Sequence, residues 1–156
     1  MFKVEIPGFG TLRLEHLVTD YTGTLSVDGT LLPGVREMLR DIARFMKVHV
    51  LTSDTFGTAR EQLAGLDLTI RILDGTDHDA QKEAYVRDLG PDKVAAFGNG
   101  RNDVLMLRAA MLGIAVSQGE GCSTAAILGS DILVRSATEG LGLLTNPLRL
   151  KASLRF

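Results

Sequence analysis

No second cysteine accompanies Cys122 in the 156-residue chain, which excludes an internal disulfide and any multi-cysteine zinc site. The three histidines, His16, His49 and His78, suggest no ligand set by their spacing, and they are expected on the surface or in strands. No stretch approaches the roughly 18 consecutive apolar residues of a membrane-spanning helix. Met1-Phe2-Lys3-Val4-Glu5 lacks both the basic start and the apolar run of a signal peptide, so a cytoplasmic protein with no membrane partner is expected. Lys and Arg form no run and the net charge is −2, so no basic stripe offers itself to nucleic acid. Internal repeats and low-complexity segments are also missing.

What is present is an ordinary globular composition, 45% hydrophobic and 23% charged. A chain of this length buries roughly 70% of its unfolded surface in one core, so residues 1–156 are read as a single domain. Residues 2–6 and 11–14 alternate apolar with polar around Pro7-Gly8-Phe9-Gly10, which predicts an N-terminal hairpin over residues 1–15. Strands are expected at 16–19, 48–51, 69–73, 92–97, 112–116 and 131–134. Helices are expected at about 34–46, 57–64, 77–88, from 102, at 123–128 and at 137–144. This alternation predicts an α/β fold, a mostly parallel sheet with helices on both faces. Asp28-Gly29 marks the turn of a small hairpin or flap over 25–32, and the tail 147–156 is expected to be peripheral.

Polar residues collect where these strands end. Leu17-Val18-Thr19-Asp20-Tyr21-Thr22-Gly23-Thr24 leaves Asp20 at a strand's carboxyl end, beside a turn forced by Gly23. Thr52-Ser53-Asp54 closes the next strand, Lys82 stands early in a helix, and Gly98-Asn99-Gly100-Arg101-Asn102-Asp103 follows a later strand. Taken singly, each has a plain structural explanation: a turn, a hydroxyl cap, a solvated lysine and a capped loop. Their conjunction is more specific. In this order and at these element ends they resemble the four motifs of the haloacid dehalogenase superfamily, in the form found in P-type ATPases. A response-regulator receiver also phosphorylates an aspartate, but its order of strands and acidic residues does not fit.

The resemblance implies a three-layer Rossmann-like fold and phosphoryl transfer through Asp20 as nucleophile. It implies that Thr52, the Ser53 amide and Lys82 bind the phosphoryl group. Mg²⁺ would be held by Asp20, the Thr22 carbonyl, Asn99 and Asp103, since hard oxygen ligands are what this ion prefers. Two departures bear on activity. Most phosphatases of the superfamily carry a second aspartate, the general acid and base, where this chain has Thr22, and the first acid of the fourth motif is Asn99. The intervals between Asp20, Thr52 and Lys82 hold too little chain for a cap domain. The expectation is therefore a capless, slow phosphohydrolase acting on a phosphorylated small molecule or macromolecule. Self-association over an apolar patch at the flap is expected to cover its open site. The alternative is a regulatory or binding protein that keeps the fold with weakened catalysis.

Overall fold

A computed structural model describes residues Met1–Phe156. The chain opens with the expected hairpin, β1 (Phe2–Ile6) antiparallel to β2 (Gly10–Leu14). It then enters β3 (His16–Asp20), whose five residues are all buried. The flap follows as β4 (Ser26–Val27) and β5 (Thr30–Leu31), joined through Asp28 and Gly29, both in the left-handed region that such a tight turn requires. Helix α1 (Val35–Ile42) is shorter than expected. Beyond Ile42 the amides of Arg44 and Phe45 turn to carbonyls three residues back, tightening the last turn, while Met46 stays buried.

The remaining elements alternate as the patterning predicts. They are β6 (Lys47–Thr52), α2 (Thr58–Gln62), β7 (Thr69–Ile72), α3 (His78–Leu89), β8 (Val94–Gly98), α4 (Val104–Ala109), β9 (Leu112–Val116), α5 (Thr124–Leu128), β10 (Ile132–Val134) and α6 (Ala137–Thr145). The stretch past Pro147 is a helix, α7 (Pro147–Leu154), rather than a loose tail, and Leu150 on it is fully buried in the main core.

Six strands form one parallel sheet in the order β10-β9-β8-β3-β6-β7. The connection reverses direction between β3 and β8, and the carboxyl ends of the strands flanking such a reversal open a crevice. Alternate residues of each strand point to opposite faces. Leu17, Val50 and Phe97 join the larger core with α1, α6, α7 and the hairpin, while Val18, Leu51 and Ala96 join a smaller core with Val86 of α3 and Met106 of α4. Between β3 and β6 stand only the flap and α1, and between β6 and β7 only α2, so no cap covers the crevice.

The flap does not expose the apolar patch on which self-association was expected to rest. Leu25 is fully buried, and Val27, Leu31 and Leu32 are half-buried. Tyr21 donates its hydroxyl proton to the Gly29 carbonyl at 2.7 Å, and the Leu31 amide donates to Gln62 on α2, so the flap is pinned to its neighbours.

Two of the histidines are buried side by side in the sheet. His16 Nδ1 lies 3.0 Å from His49 Nε2, and His49 Nδ1 lies 2.9 Å from the Tyr85 hydroxyl on α3. Burial, with His16 and Lys47 nearby, pushes His49 down to about 4, and burial likewise lowers His16. In the unfolded chain a histidine protonates near pH 6.5. Between about pH 6.5 and 4 the unfolded state therefore binds the extra proton, so stability is complete above that window and falls as pH drops through it. Urea midpoints measured at pH 7 and pH 4.5 should show this loss, and it should be smaller in His49→Gln, which hydrogen-bonds without titrating in this range.

Candidate active site

Asp20 ends β3 at the reversal point, and the turn after it is shaped by Gly23 at φ +74°, where an added Cβ would stand 2.4 Å from the Asn99 side chain. That close approach joins the first and fourth motif loops. The Thr24 hydroxyl sits between them, donating to Asn99 Oδ1 at 3.1 Å and lying 3.4 Å from Asp20 Oδ2, which keeps the two oxygens near one place. Asn99 Nδ2 donates to the Gly121 carbonyl, which fixes the amide oxygen on the Thr24 side. Gln118 clasps the same turn from outside, its amide donating to the Gly23 and Thr24 carbonyls and its oxygen accepting from the Ala137 amide.

Lys82 is buried, 1% exposed, although most lysines reach solvent. It occupies the sheet-facing stripe of α3 one turn before Val86, and its Nζ donates to Asp20 Oδ1 at 3.0 Å and to Asp103 Oδ1 at 2.7 Å. Asp103 is fully buried, and its other oxygen accepts the Asn99 and Gly100 amides at 3.0 and 2.9 Å. Gly98 permits this fold-back, since a Cβ there would stand 2.5 Å from Asp103 Cβ.

One cation thus faces two buried carboxylates. Burial and the nearby Asp103 charge push Asp20 up to about 7, against the pull of Lys82. Burial alone would lower the Lys82 ammonium, but the two carboxylates outweigh it and hold it charged, above its ordinary value. With both carboxylates ionised, the cluster is one positive charge short.

A polar cavity of about 360 Å³ opens over this cluster, lined by Asp20, Thr22, Thr52, Ser53, Lys82 and Asn99 among others. Six of the seven residues singled out from sequence therefore meet there. Asp103 does not line it: one of its oxygens accepts from Lys82 and the other from the Asn99 and Gly100 amides, so that it positions the lysine and the loop. Thr52 accepts the Asp54 amide at 3.2 Å and keeps its own proton to donate. Ser53 lines the cavity, but not at the positive end of α2, because the Asp54 carboxylate already accepts the Ala59 and Arg60 amides there. His78, expected on the surface or in a strand, begins α3 and lines the cavity, as do Asn102 and Glu120.

Thr24, Gln118, His78 and Glu120 were not singled out from sequence. Thr24 closes the quoted first motif and His78 precedes Lys82 by one helical turn, so both carried a signal; Gln118 and Glu120 belong to no motif.

No three His, Cys, Asp or Glu side chains group as a metal cluster. The donors that remain, one carboxylate and an amide oxygen held together by Thr24, with the charge shortfall, suit a hard divalent cation that keeps much of its water.

Residues 79–126 match the family of haloacid dehalogenase-like hydrolases. A probable copper-exporting P-type ATPase of Archaeoglobus fulgidus is 33% identical over 115 residues, 72% of this chain and 14% of the transporter. Together these matches support a haloacid dehalogenase superfamily member. An uncharacterised protein of Methanocaldococcus jannaschii is 49% identical over 63 residues, 40% of this chain and 68% of that one. Among solved structures, the 3-deoxy-D-manno-octulosonate 8-phosphate phosphatase of Moraxella catarrhalis, in complex with magnesium, phosphate and its sugar, superposes with a TM-score of 0.69. The two share 17% identity over 91% of this chain and 94% of that one, a likeness of fold.

In this member of the superfamily Lys82 is the keystone of the cluster. Lys82→Met should leave Asp20 and Asp103 buried without a counter-charge and cost about 3–5 kcal/mol of stability. Urea denaturation at pH 8 measures this, and a loss under about 1 kcal/mol would contradict the geometry.

Proposed function

We propose that this chain is a Mg²⁺-dependent phosphatase that works through a phospho-Asp20 intermediate. The observation that carries the reading is the Asp20 carboxylate at the sheet's reversal point, braced by buried Lys82 in a cavity walled by hydroxyl, amide and carbonyl groups. An Asp20 oxygen attacks phosphorus, the bond from phosphorus to the ester oxygen breaks, and the leaving group departs. Water then attacks the aspartyl phosphate, releasing inorganic phosphate and restoring the carboxylate. Lys82 and the Thr52 hydroxyl oppose charge on the phosphoryl oxygens, and Ser53 adds a further donor at the rim. Mg²⁺ held by Asp20, the Thr22 carbonyl and Asn99 would supply the missing positive charge.

An open crevice without a cap admits either a small phosphate ester or a phosphorylated macromolecule. The chain spans 14% of the copper transporter, so ATP use and ion transport are not carried over. Replacement of Asp20 by Asn should lower phosphate release from an aryl phosphate by at least about a thousand-fold and abolish the acid-stable phosphoenzyme. An unlabelled parent protein with no Mg²⁺-stimulated turnover would favour a binding role instead.

Thr22 lines the cavity where the superfamily's phosphatases carry their acid and base. A threonine hydroxyl is a poor base, so hydrolysis of the intermediate is the slow step. Asp54 does not substitute for it, since its carboxylate holds two α2 amides. Thr22→Asp should speed dephosphorylation by up to about 10²–10⁴, read by rapid quench of the phosphoenzyme.

A further inference from the structure

The mouth of the cavity carries one charge that the reaction described so far does not use. Glu120 lies in the loop after β9 and lines the cavity together with Asp20, Lys82 and Asn99. Its chain neighbours fix where that loop stands. The Gly121 carbonyl accepts Asn99 Nδ2 at 3.2 Å, Gln118 donates to the Thr24 carbonyl at 2.6 Å, and an added Cβ on Gly119 would stand 2.9 Å from the Val27 side chain. Glu120 therefore borders the cavity on the side of Asn99 and the flap. There its Oε2 accepts the Asp28 amide at 3.2 Å, while its Oε1 has no hydrogen-bond partner and no Lys or Arg pairs with the carboxylate.

The charges around the cavity give this carboxylate a consequence. Lys82 is the one Lys or Arg that lines it, and on the buried floor it is engaged with Asp20 and Asp103. At the mouth, Glu120 is exposed and stands without a counter-charge. A phosphate ester bound with its phosphorus at Asp20 extends its leaving group from the floor towards that mouth. A second anionic group on the leaving group meets a like charge there, whereas an ammonium meets an opposite one. Complementary charge at a rim acts chiefly by rejecting the wrong partner, since like-charge juxtaposition is what costs most. The cavity volume of about 360 Å³ is of the size that holds a small molecule.

We propose that Glu120 is a specificity-determining residue, selecting small phosphate esters whose leaving group carries an ammonium and turning away those whose leaving group is itself anionic. This rests on the phosphatase reading and names the class of substrate that the same site takes.

The test uses three aryl phosphates of one shape whose phenols differ little in acidity: 4-(2-aminoethyl)phenyl phosphate, 4-propylphenyl phosphate and 3-(4-phosphonooxyphenyl)propanoate. In the parent at low ionic strength, kcat/KM should favour the ammonium ester about five-fold over the propyl ester and the propyl ester by a similar factor over the propanoate, the scale of a solvent-exposed ion pair. Added salt should shrink both ratios. Glu120→Gln, whose amide oxygen still accepts the Asp28 amide and so keeps the flap tied, should bring both ratios to within about two-fold of one, and Glu120→Lys should invert them. A parent without the preference, or a preference that Glu120→Gln leaves intact, overturns the proposal, because a residue that only held the flap would slow all three esters alike. Dissociation constants of the same esters on Asp20→Asn, measured by calorimetry, report the charge preference without turnover. The preference seen in binding while the parent hydrolyses none of the esters contradicts Asp20 as nucleophile and supports Glu120; turnover without the preference overturns Glu120 alone.

Discussion

A single buried ammonium between two buried carboxylates is the interaction on which the rest of the structure depends. Lys82 reaches Asp20 from one helix and Asp103 from a loop, so strand β3, helix α3 and the loop after β8 cannot move independently. Separating any of them would strand a charge in a medium that solvates it poorly. The same pairing leaves the cluster with an excess of one negative charge. That excess is costly in isolation, and in the proposed phosphoryl-transfer site it would be offset by a divalent cation.

The surroundings convert that ion bridge into a shaped site. The parallel sheet reverses between β3 and β8, which sets Asp20 and Asn99 at adjacent strand ends. Gly23 lets the two loops touch, Thr24 links Asp20 to Asn99, and Gln118 holds the turn by its carbonyls. Asp103 gives one oxygen to Lys82 and the other to the loop amides, so its contribution is positional. The flap is tied to α2 and to Glu120, and no cap stands above the cavity.

Much of this was legible in the sequence because strands β3, β6 and β8 are short apolar runs closed by polar residues, a pattern that both defines a buried parallel strand and marks its functional end. The hairpins are legible from their turn residues, and the motif order separates this fold from response-regulator receivers. The burial of Lys82 was not, because α3 carries little apolar stripe and a lysine on a polar helix reads as solvated; only the sheet beneath explains it. The loop pattern names Asp103 without saying which way its oxygens face, and in the structure they turn to Lys82 and the loop amides. Ser53 was placed at a helix end that Asp54 occupies, and α1 was extended past Ile42 because Ala43 and Met46 continue its spacing through turns. α7 lay hidden behind Pro147, which begins the helix instead of ending the domain. Gln118 acts through backbone carbonyls far away in sequence and leaves no local pattern at all.

Where a phosphoryl group settles decides whether Asp20 is the nucleophile. A crystal structure of the protein with Mg²⁺ and beryllium fluoride, which mimics that group, addresses it in one measurement. The beryllium should be bonded to an Asp20 oxygen, with Lys82 and the Thr52 hydroxyl against the fluorides and Lys82 still joined to Asp103. Beryllium fluoride absent from Asp20, or bound with Lys82 turned away from it, would contradict the account.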